Sequence, residues 1–464
     1  MPLFSVDDIV KATGGALLQA GTPSVKITGV SHDTRATLGS TLFVAIPGPR
    51  FDGHTFVAEA ARKGAVAALV SHVVAAPPSM ALIKVEDTIR ALGDLAHAWR
   101  QKFSVPCVAI TGSNGKSTTK QMATAIASEL GDVLATEGNF NNLIGLPLTL
   151  FRWRDHHRAA ILEMGMNTPG EIQRLTEITR PTVGLITNVT AAHLERLGSV
   201  EAVARAKGEL FDTMGKEAIA IINDEDPWAK KLGAAFRGRC IHYGMQNESD
   251  VRFCHMETPA FDTTTFTVAA KEKEVTITLP VMGVHNVLNA MAAIAIGEAL
   301  GVDLERAAKR LQSFKPMAMR FEQIQLANGV RLIHDAYNAN PESMTAALTT
   351  IATAKRAGRF IAVLGDMLEL GAASAKLHRD VGTKAVQCGV DQLYAVGRFA
   401  AAMVDGARSA GMKNGQARAE QELDAVKDDV LGTLKTGDVI LVKASRGMKF
   451  ERLVEFLKRE IGSG

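Results

Sequence analysis

The sequence has 464 residues, of which 47% are hydrophobic, 22% charged and only 5% aromatic. A chain of this length holds about two to four domains, each with its own core, and it is too apolar to be mainly disordered. Its 52 Lys+Arg stand against 49 Asp+Glu, which argues against a general nucleic-acid binder, a class marked by a basic excess or a clustered basic stripe.

From the start of the chain, Asp7 and Asp8 sit where a secretory signal would carry its basic region and apolar run. No apolar stretch approaches the ~18–20 residues of a membrane span. Cys107, Cys240, Cys254 and Cys388 are scattered without CxxC spacing, so a reduced, cytoplasmic chain is expected. Joints are expected at Ala75-Ala76-Pro77-Pro78-Ser79 and at Ser313-Phe314-Lys315-Pro316-Met317. They divide the chain into residues 1–82, 83–313 and 314–464.

The middle segment opens with an apolar strand at 107–111, a glycine-containing turn and a helix with Met122, Ala125, Ile126 and Leu130 on one stripe. Strand-like runs at 160–162, 183–186 and 218–222 alternate with helical patterns, which predicts a parallel α/β sheet. Residues 266–281 alternate like an antiparallel pair. The last segment repeats the α/β order with strands at 330–334, 360–364, 393–396 and 439–442. Open α/β sheets bind ligands at the carboxyl ends of such strands.

The turn Thr111-Gly112-Ser113-Asn114-Gly115-Lys116-Ser117-Thr118 is the sharpest signal. Its glycines let backbone N–H groups approach phosphate oxygens at a helix N-terminus. Lys116 suits a phosphate bridge and Ser117 a Mg²⁺ ligand, although Ile110 replaces the first glycine of the usual pattern. Glu163 ends the next strand, where a carboxylate serves either as a solvated loop acid or as a metal ligand. His193 follows another strand end.

Val200, Val203, Lys207 and Leu210 share one helix face, which puts a lysine on an apolar stripe. Such a lysine must pair, shift its pKa, be modified or snorkel. His285, Asn286 and Asn289 form a polar patch at the start of an otherwise apolar helix, suited to a nucleotide or to simple capping. Asn340-Pro341 reads as an N-cap and first helical residue, whereas Tyr337 and Asn338 lie at a strand's carboxyl end.

Together these motifs resemble the Mur ligase family of peptidoglycan precursor synthesis along essentially the whole chain. The resemblance implies an α/β protein of three domains: a small α/β N-terminal domain, a central P-loop-type domain on a mostly parallel sheet, and a Rossmann-like doubly wound C-terminal domain. It implies ATP binding by Gly112, Ser113, Asn114, Gly115, Lys116, Ser117, Thr118, His285, Asn286, Asn289, Arg320 and Asp335. Lys116, Glu163, His193 and Lys207 fall on catalytic positions, with Ser117, Glu163, His193 and a CO₂-carbamylated Lys207 around Mg²⁺.

The runs Gly138-Asn139-Phe140-Asn141-Asn142-Leu143-Ile144-Gly145-Leu146-Pro147, Asp335-Ala336-Tyr337-Asn338-Ala339-Asn340-Pro341 and Leu364-Gly365-Asp366-Met367 look like the D-alanyl-D-alanine-adding branch of the family. An Asp-Asn-Pro-Arg motif of the diaminopimelate-adding type is absent. Asn139, Asn142, Tyr337, Asn338, Asn340 and Ser343 are the implied substrate contacts, and Asp33, Thr34, Arg35 and Asp52 fall in segments similar to those that hold a UDP-sugar. Met319 stands where the resemblance leads one to expect a glycine before Arg320. The implied partners are small molecules, UDP-N-acetylmuramoyl-tripeptide, D-alanyl-D-alanine and ATP, acted on by a monomer. The competing expectations are another Mur ligase, a folylpolyglutamate-type ligase, and a nucleotide-binding regulatory protein.

Overall fold

The computed structural model describes residues 2–257 and 261–462, and three sheets lie among them. The first has five strands in the order Ala16–Gln19, Ala81–Lys84, Ala65–Val70, Thr41–Val44, Gly29–Ser31, parallel except for the first pair. The segment 75–79, expected as a joint, instead links two neighbouring strands of this sheet, which therefore runs on to Lys84. A Pro- and Ala-rich loop punctuates strands as readily as domains.

The second sheet carries nine strands: Lys273–Leu279, Thr264–Ala270, Val251–Met256, Arg239–Gly244, Ile219–Asn223, Val183–Ile186, Cys107–Thr111, Ala159–Glu163, Val133–Ala135. It is parallel from Val133–Ala135 to Val251–Met256, and its last two strands form the expected antiparallel pair. The third orders Glu322–Gln325, Arg331–His334, Val439–Lys443, Phe360–Gly365, Gln392–Val396 and Ala417–Glu420, with only the first pair antiparallel. The chain crosses from the second sheet to the third between helix Leu304–Gln312 and strand Glu322–Gln325.

Cys107–Thr111, the first strand of the second sheet, lies between Ala159–Glu163 and Val183–Ile186, so chain order reverses beside it. A crevice opens at the carboxyl ends of strands at such a switch point. Apolar side chains dictate what covers the faces. One face is packed by Met122, Ala123 and Ile126 of helix Lys116–Ala127 and by Val287, Ala290, Met291 and Ile294 of helix Val284–Ala299. The other face merges with the first domain. Helix Thr88–Arg100, capped by Asp87 on the N–H groups of Ile89 and Arg90, buries Leu92, Leu95 and Trp99 in one cluster with Leu42 and Leu162. Trp99 meets Phe4 edge to face, with ring centroids 5.5 Å apart.

Among the described residues no helix is long and apolar enough to cross a membrane. All four cysteines are free.

Candidate active site

A cavity of about 480 Å³ opens at the switch point, walled by the second and third domains. Its floor is the turn at 111–118. Gly112 has φ 142° and Gly115 φ 81°. A Cβ on Gly112 would lie 1.9 Å from Thr187 Oγ1, and one on Gly115 2.3 Å from Asn289 Oδ1, so only glycine fits either place. The turn is strapped by the segment after strand Val183–Ile186. Asn188 accepts from Ser113 N–H and Asn114 N–H at 2.9 Å each, and Thr187 Oγ1 donates to Asn114 O at 2.6 Å. No side chain caps helix Lys116–Ala127, and its first residues, Lys116, Ser117 and Thr118, line the cavity, so its first N–H groups are available to an anion. Lys116 Nζ donates to Gly112 O at 2.7 Å. Burial pushes its pKa down against the pull of Glu163, and Arg320 adds to the lowering.

Glu163 anchors the next wall. Its Oε2 accepts from Ser117 Oγ at 2.7 Å, its Oε1 from Asn141 Nδ2 at 2.9 Å, and its own N–H donates to Thr136 Oγ1 at 3.0 Å. Lys207 also lines the cavity, only 2% exposed. Ser199 caps its helix, Val200–Thr213, through Ala202 N–H, and Val203, Ala206 and Leu210 bury the same stripe. Among the described residues Lys207 Nζ has neither a hydrogen bond nor an ion pair. Burial, with the charge of Lys116 added, holds its pKa well below the usual lysine value. His193, with φ 55°, reaches the cavity too, but its Nδ1 lies 2.5 Å from Glu369 Oε2 of the third domain.

On helix Val284–Ala299, Asn286 donates to Met282 O at 2.7 Å, and Asn289 ties to Asn286 and Thr119. Their side chains are partly engaged within the protein while still facing the cavity. His285 packs edge to face on Phe321, and burial takes its pKa down to about 4.

The third domain supplies the opposite wall. Arg320 stacks 3.9 Å over the Tyr337 ring and donates to Ser117 Oγ at 2.8 Å, while its Nε is buried without a partner among the described residues. Met319, where a glycine was expected, has φ 62°, and Phe321 has φ 55°. The position thus adopts the left-handed backbone that favours glycine. Asp335 accepts from Lys443 Nζ at 2.6 Å and Phe321 N–H at 3.1 Å. Asn340 and Ser343 form a capping box on helix Pro341–Thr353, as the Asn-Pro pair predicts, and Asn340 Nδ2 also donates to Asn114 Oδ1 at 2.7 Å across the domains.

The cavity therefore gathers Ser113, Asn114, Gly115, Lys116, Ser117, Thr118, Asn139, Asn142, Glu163, His193, Lys207, His285, Asn286, Asn289, Arg320, Asp335, Tyr337, Asn338, Asn340 and Ser343. It does not take in Gly112, which shapes the turn from behind the lining, or Asp33, Thr34, Arg35 and Asp52. Arg35 forks onto Asp33, whose carboxyl that hydrogen bond holds down to about 2. Lys63 donates to Thr34 O. Asp52 caps Gly53–Phe56 and meets His54 Nδ1 at 2.6 Å. Sequence reasoning gave no individual role to Asn141, which braces Glu163, or to Glu369. Asn141 lies inside a run that was singled out, whereas nothing local marks Glu369.

Comparison with known proteins matches three successive segments of the chain. Residues 26–100 match the Mur ligase family catalytic domain, 110–297 the Mur ligase middle domain, and 319–446 the Mur ligase glutamate ligase domain. The chain is 37% identical over 457 residues to the UDP-N-acetylmuramoyl-tripeptide–D-alanyl-D-alanine ligase of Bacillus subtilis, covering 98% of each. Among solved structures it is similar to MurF from Acinetobacter baumannii, with TM-score 0.92, 32% identity and 99% of each chain covered. It is also similar to MurF of Thermotoga maritima in complex with ADP, with TM-score 0.82, 28% identity, and 93% of this chain and 97% of that one covered.

Proposed function

The chain belongs to the Mur ligase family, and from that premise we propose that it joins D-alanyl-D-alanine to UDP-N-acetylmuramoyl-tripeptide at the expense of ATP, in peptidoglycan precursor synthesis. The observation that carries this reading is the convergence on one cavity of a phosphate turn, the Ser117–Glu163 pair and Arg320 of the next domain, whose buried Nε has no partner among the described residues.

The tripeptide's terminal carboxylate attacks the γ-phosphorus of ATP, an O–P bond forming as the β,γ-bridging P–O bond breaks and ADP leaves. The amine of D-alanyl-D-alanine then attacks the acyl carbon. The C–N bond forms, the C–O bond to phosphate breaks, and the amine loses a proton. A carboxylate is a poor electrophile, and the first step brings two anions together. Lys116 and Arg320 supply positive charge there, where electrostatic groups are worth a few kcal/mol each, or ~10²–10³ in rate. The bare N–H groups of helix Lys116–Ala127 hold phosphate oxygens. His285, Asn286, Asn289 and Asp335 receive the nucleoside end, and Asn139, Asn142, Tyr337, Asn338, Asn340 and Ser343 the peptide substrates.

Ser117 and Glu163 are hard oxygen donors that fit Mg²⁺, and His193 lines the same cavity. When bound, that ion neutralises charge on the phosphates. Lys207 fits carbamylation, because only a neutral amine adds to CO₂, losing a proton to become an anion, and burial favours the neutral form of this amine. Asp33, Thr34, Arg35 and Asp52 belong to the UDP-sugar end in the first domain, apart from the cavity. In this reading the first domain, whose sheet runs on to Lys84, serves the UDP-sugar, the second, up to about residue 313, ATP, and residues 314–464 the amino-acid substrate, in a cytoplasmic monomer.

The test is an assay with UDP-N-acetylmuramoyl-tripeptide, D-alanyl-D-alanine and Mg-ATP, reading the pentapeptide product. ADP release that answers to a folate and glutamate instead, or to neither acid nor amine, would overturn it.

A further inference from the structure

Glu369 lies on the loop after strand Phe360–Gly365, outside every motif that points to nucleotide or metal. Its carboxylate reaches from the third domain to His193 of the second, 176 positions earlier in the chain. A solvent-exposed carboxylate–imidazole contact of this kind is ordinarily worth ~0–1 kcal/mol and needs no function. Three observations set this one apart. His193 has φ 55° and Glu369 φ 64°, so both partners are held in the left-handed backbone that costs a non-glycine residue roughly 1–2 kcal/mol. A second interdomain bond, Glu195 N–H to Glu369 O at 3.0 Å, fixes the backbone beside the side-chain contact. The loop carrying Glu369 is itself pinned, with Met367 N–H donating to His378 Nε2 and Leu368 N–H to Ser445 Oγ, each at 2.9 Å. A loop held at that many points presents its carboxylate in one place.

A carboxylate only accepts hydrogen bonds, so a neutral His193 ring facing Glu369 carries its proton on Nδ1 and keeps Nε2 bare. That is how a metal-binding imidazole is set by an outer carboxylate. We infer that Glu369 is a positioning residue that fixes the orientation and tautomer of His193 for the divalent cation, and does so only when the third domain is docked on the second. The inference rests on the metal-ligand reading of His193 given above. It makes docking of the amino-acid-binding domain a condition for completing the cation site, although Glu369 itself does not line the cavity.

The test uses the full-length protein. Histidine-¹⁵N-labelled, metal-free enzyme gives long-range ¹H–¹⁵N spectra in which the His193→Ala variant identifies the His193 signal. At a pH where the His193 ring is neutral, wild type is expected as the Nδ1–H tautomer. Glu369→Gln, whose amide oxygen still accepts, keeps that form, and Glu369→Ala loses it. Mn²⁺ binding in the presence of ADP, followed by electron paramagnetic resonance, is expected to weaken ~10–100-fold in Glu369→Ala, the usual cost of removing such a support. His193→Ala sets the upper limit of the loss. Should His193→Ala weaken Mn²⁺ binding while Glu369→Ala leaves it within twofold of wild type, or leaves the tautomer unchanged, the role of Glu369 is overturned. Unchanged Mn²⁺ binding in His193→Ala would instead overturn the ligand reading, and this inference with it.

Discussion

At the scale of single residues, Lys207 makes the sharpest demand. Its amine is 2% exposed, without a partner among the described residues, and both burial and the neighbouring Lys116 favour its neutral form. The unfolded chain holds this lysine charged up to its ordinary value near 10.5, so between the depressed folded value and that pH the unfolded state binds the extra proton. Stability therefore rises with pH through that window, and the penalty is fully present below it. Lys207→Met removes the penalty and keeps most of the apolar stem. In CO₂-free buffer near neutral pH it is expected to raise unfolding stability by about 1–3 kcal/mol, with the gain shrinking as pH approaches 10.5. Bicarbonate should stabilise wild type and not the variant, because only the lysine reacts with CO₂. Denaturant titrations at several pH values, with and without bicarbonate, check both; a variant less stable than wild type at neutral pH would refute the account. The residue pattern exposed this lysine, since position 207 fell on the buried stripe with Val203 and Leu210. It likewise exposed Asn340 as a cap. It could not show that Asn340 also reaches Asn114, or that Arg320 lies on Tyr337, because such contacts join positions far apart in the chain.

At the scale of elements, the phosphate turn works only because two helices meet beneath it. Gly115 begins helix Lys116–Ala127 with φ 81°, and the space a side chain would need is filled by Asn289 of helix Val284–Ala299. Gly115→Ala therefore brings left-handed strain of roughly 1–2 kcal/mol and a clash that pushes the helices apart. ATP affinity is expected to fall by at least tenfold, about 1.4 kcal/mol, measured by calorimetric titration of a non-hydrolysable analogue. Pairing it with Asn289→Ala should recover part of the loss; no recovery would mean that strain alone is responsible. Elements with dense apolar runs, such as Cys107–Thr111 and Phe360–Gly365, were legible in the sequence because both their faces are buried. Arg239–Gly244 and Ala417–Glu420 were not, since partly exposed strands need few apolar residues and theirs alternate with charge.

At the scale of the whole molecule, the three domains are joined in two different ways. The first and second share one apolar cluster, in which Phe4 and Leu42 pack with Trp99, Leu162 and Leu175. The third is built around two further cores, Leu364 and Ile351 on one face of its sheet and Val363 and Leu453 on the other, and Met282 of the second domain reaches into the former. Beyond Met282 and the His285–Phe321 ring contact, it meets the second through polar contacts, Arg320–Ser117, Asn340–Asn114 and Glu369–His193. Shared apolar burial couples unfolding strongly, whereas a polar, ligand-lined interface couples it weakly until something binds across it. Scanning calorimetry of the full chain is therefore expected to show two transitions rather than one or three. Leu42→Ala and Leu162→Ala, each costing about 2–5 kcal/mol, should lower the same transition, and Leu364→Ala the other. A nucleotide analogue spanning the cavity should draw the two together, because it binds only when both walls are folded. A separate transition moved by Leu42→Ala alone would show that the first domain melts independently and that the shared cluster does not weld it to the second.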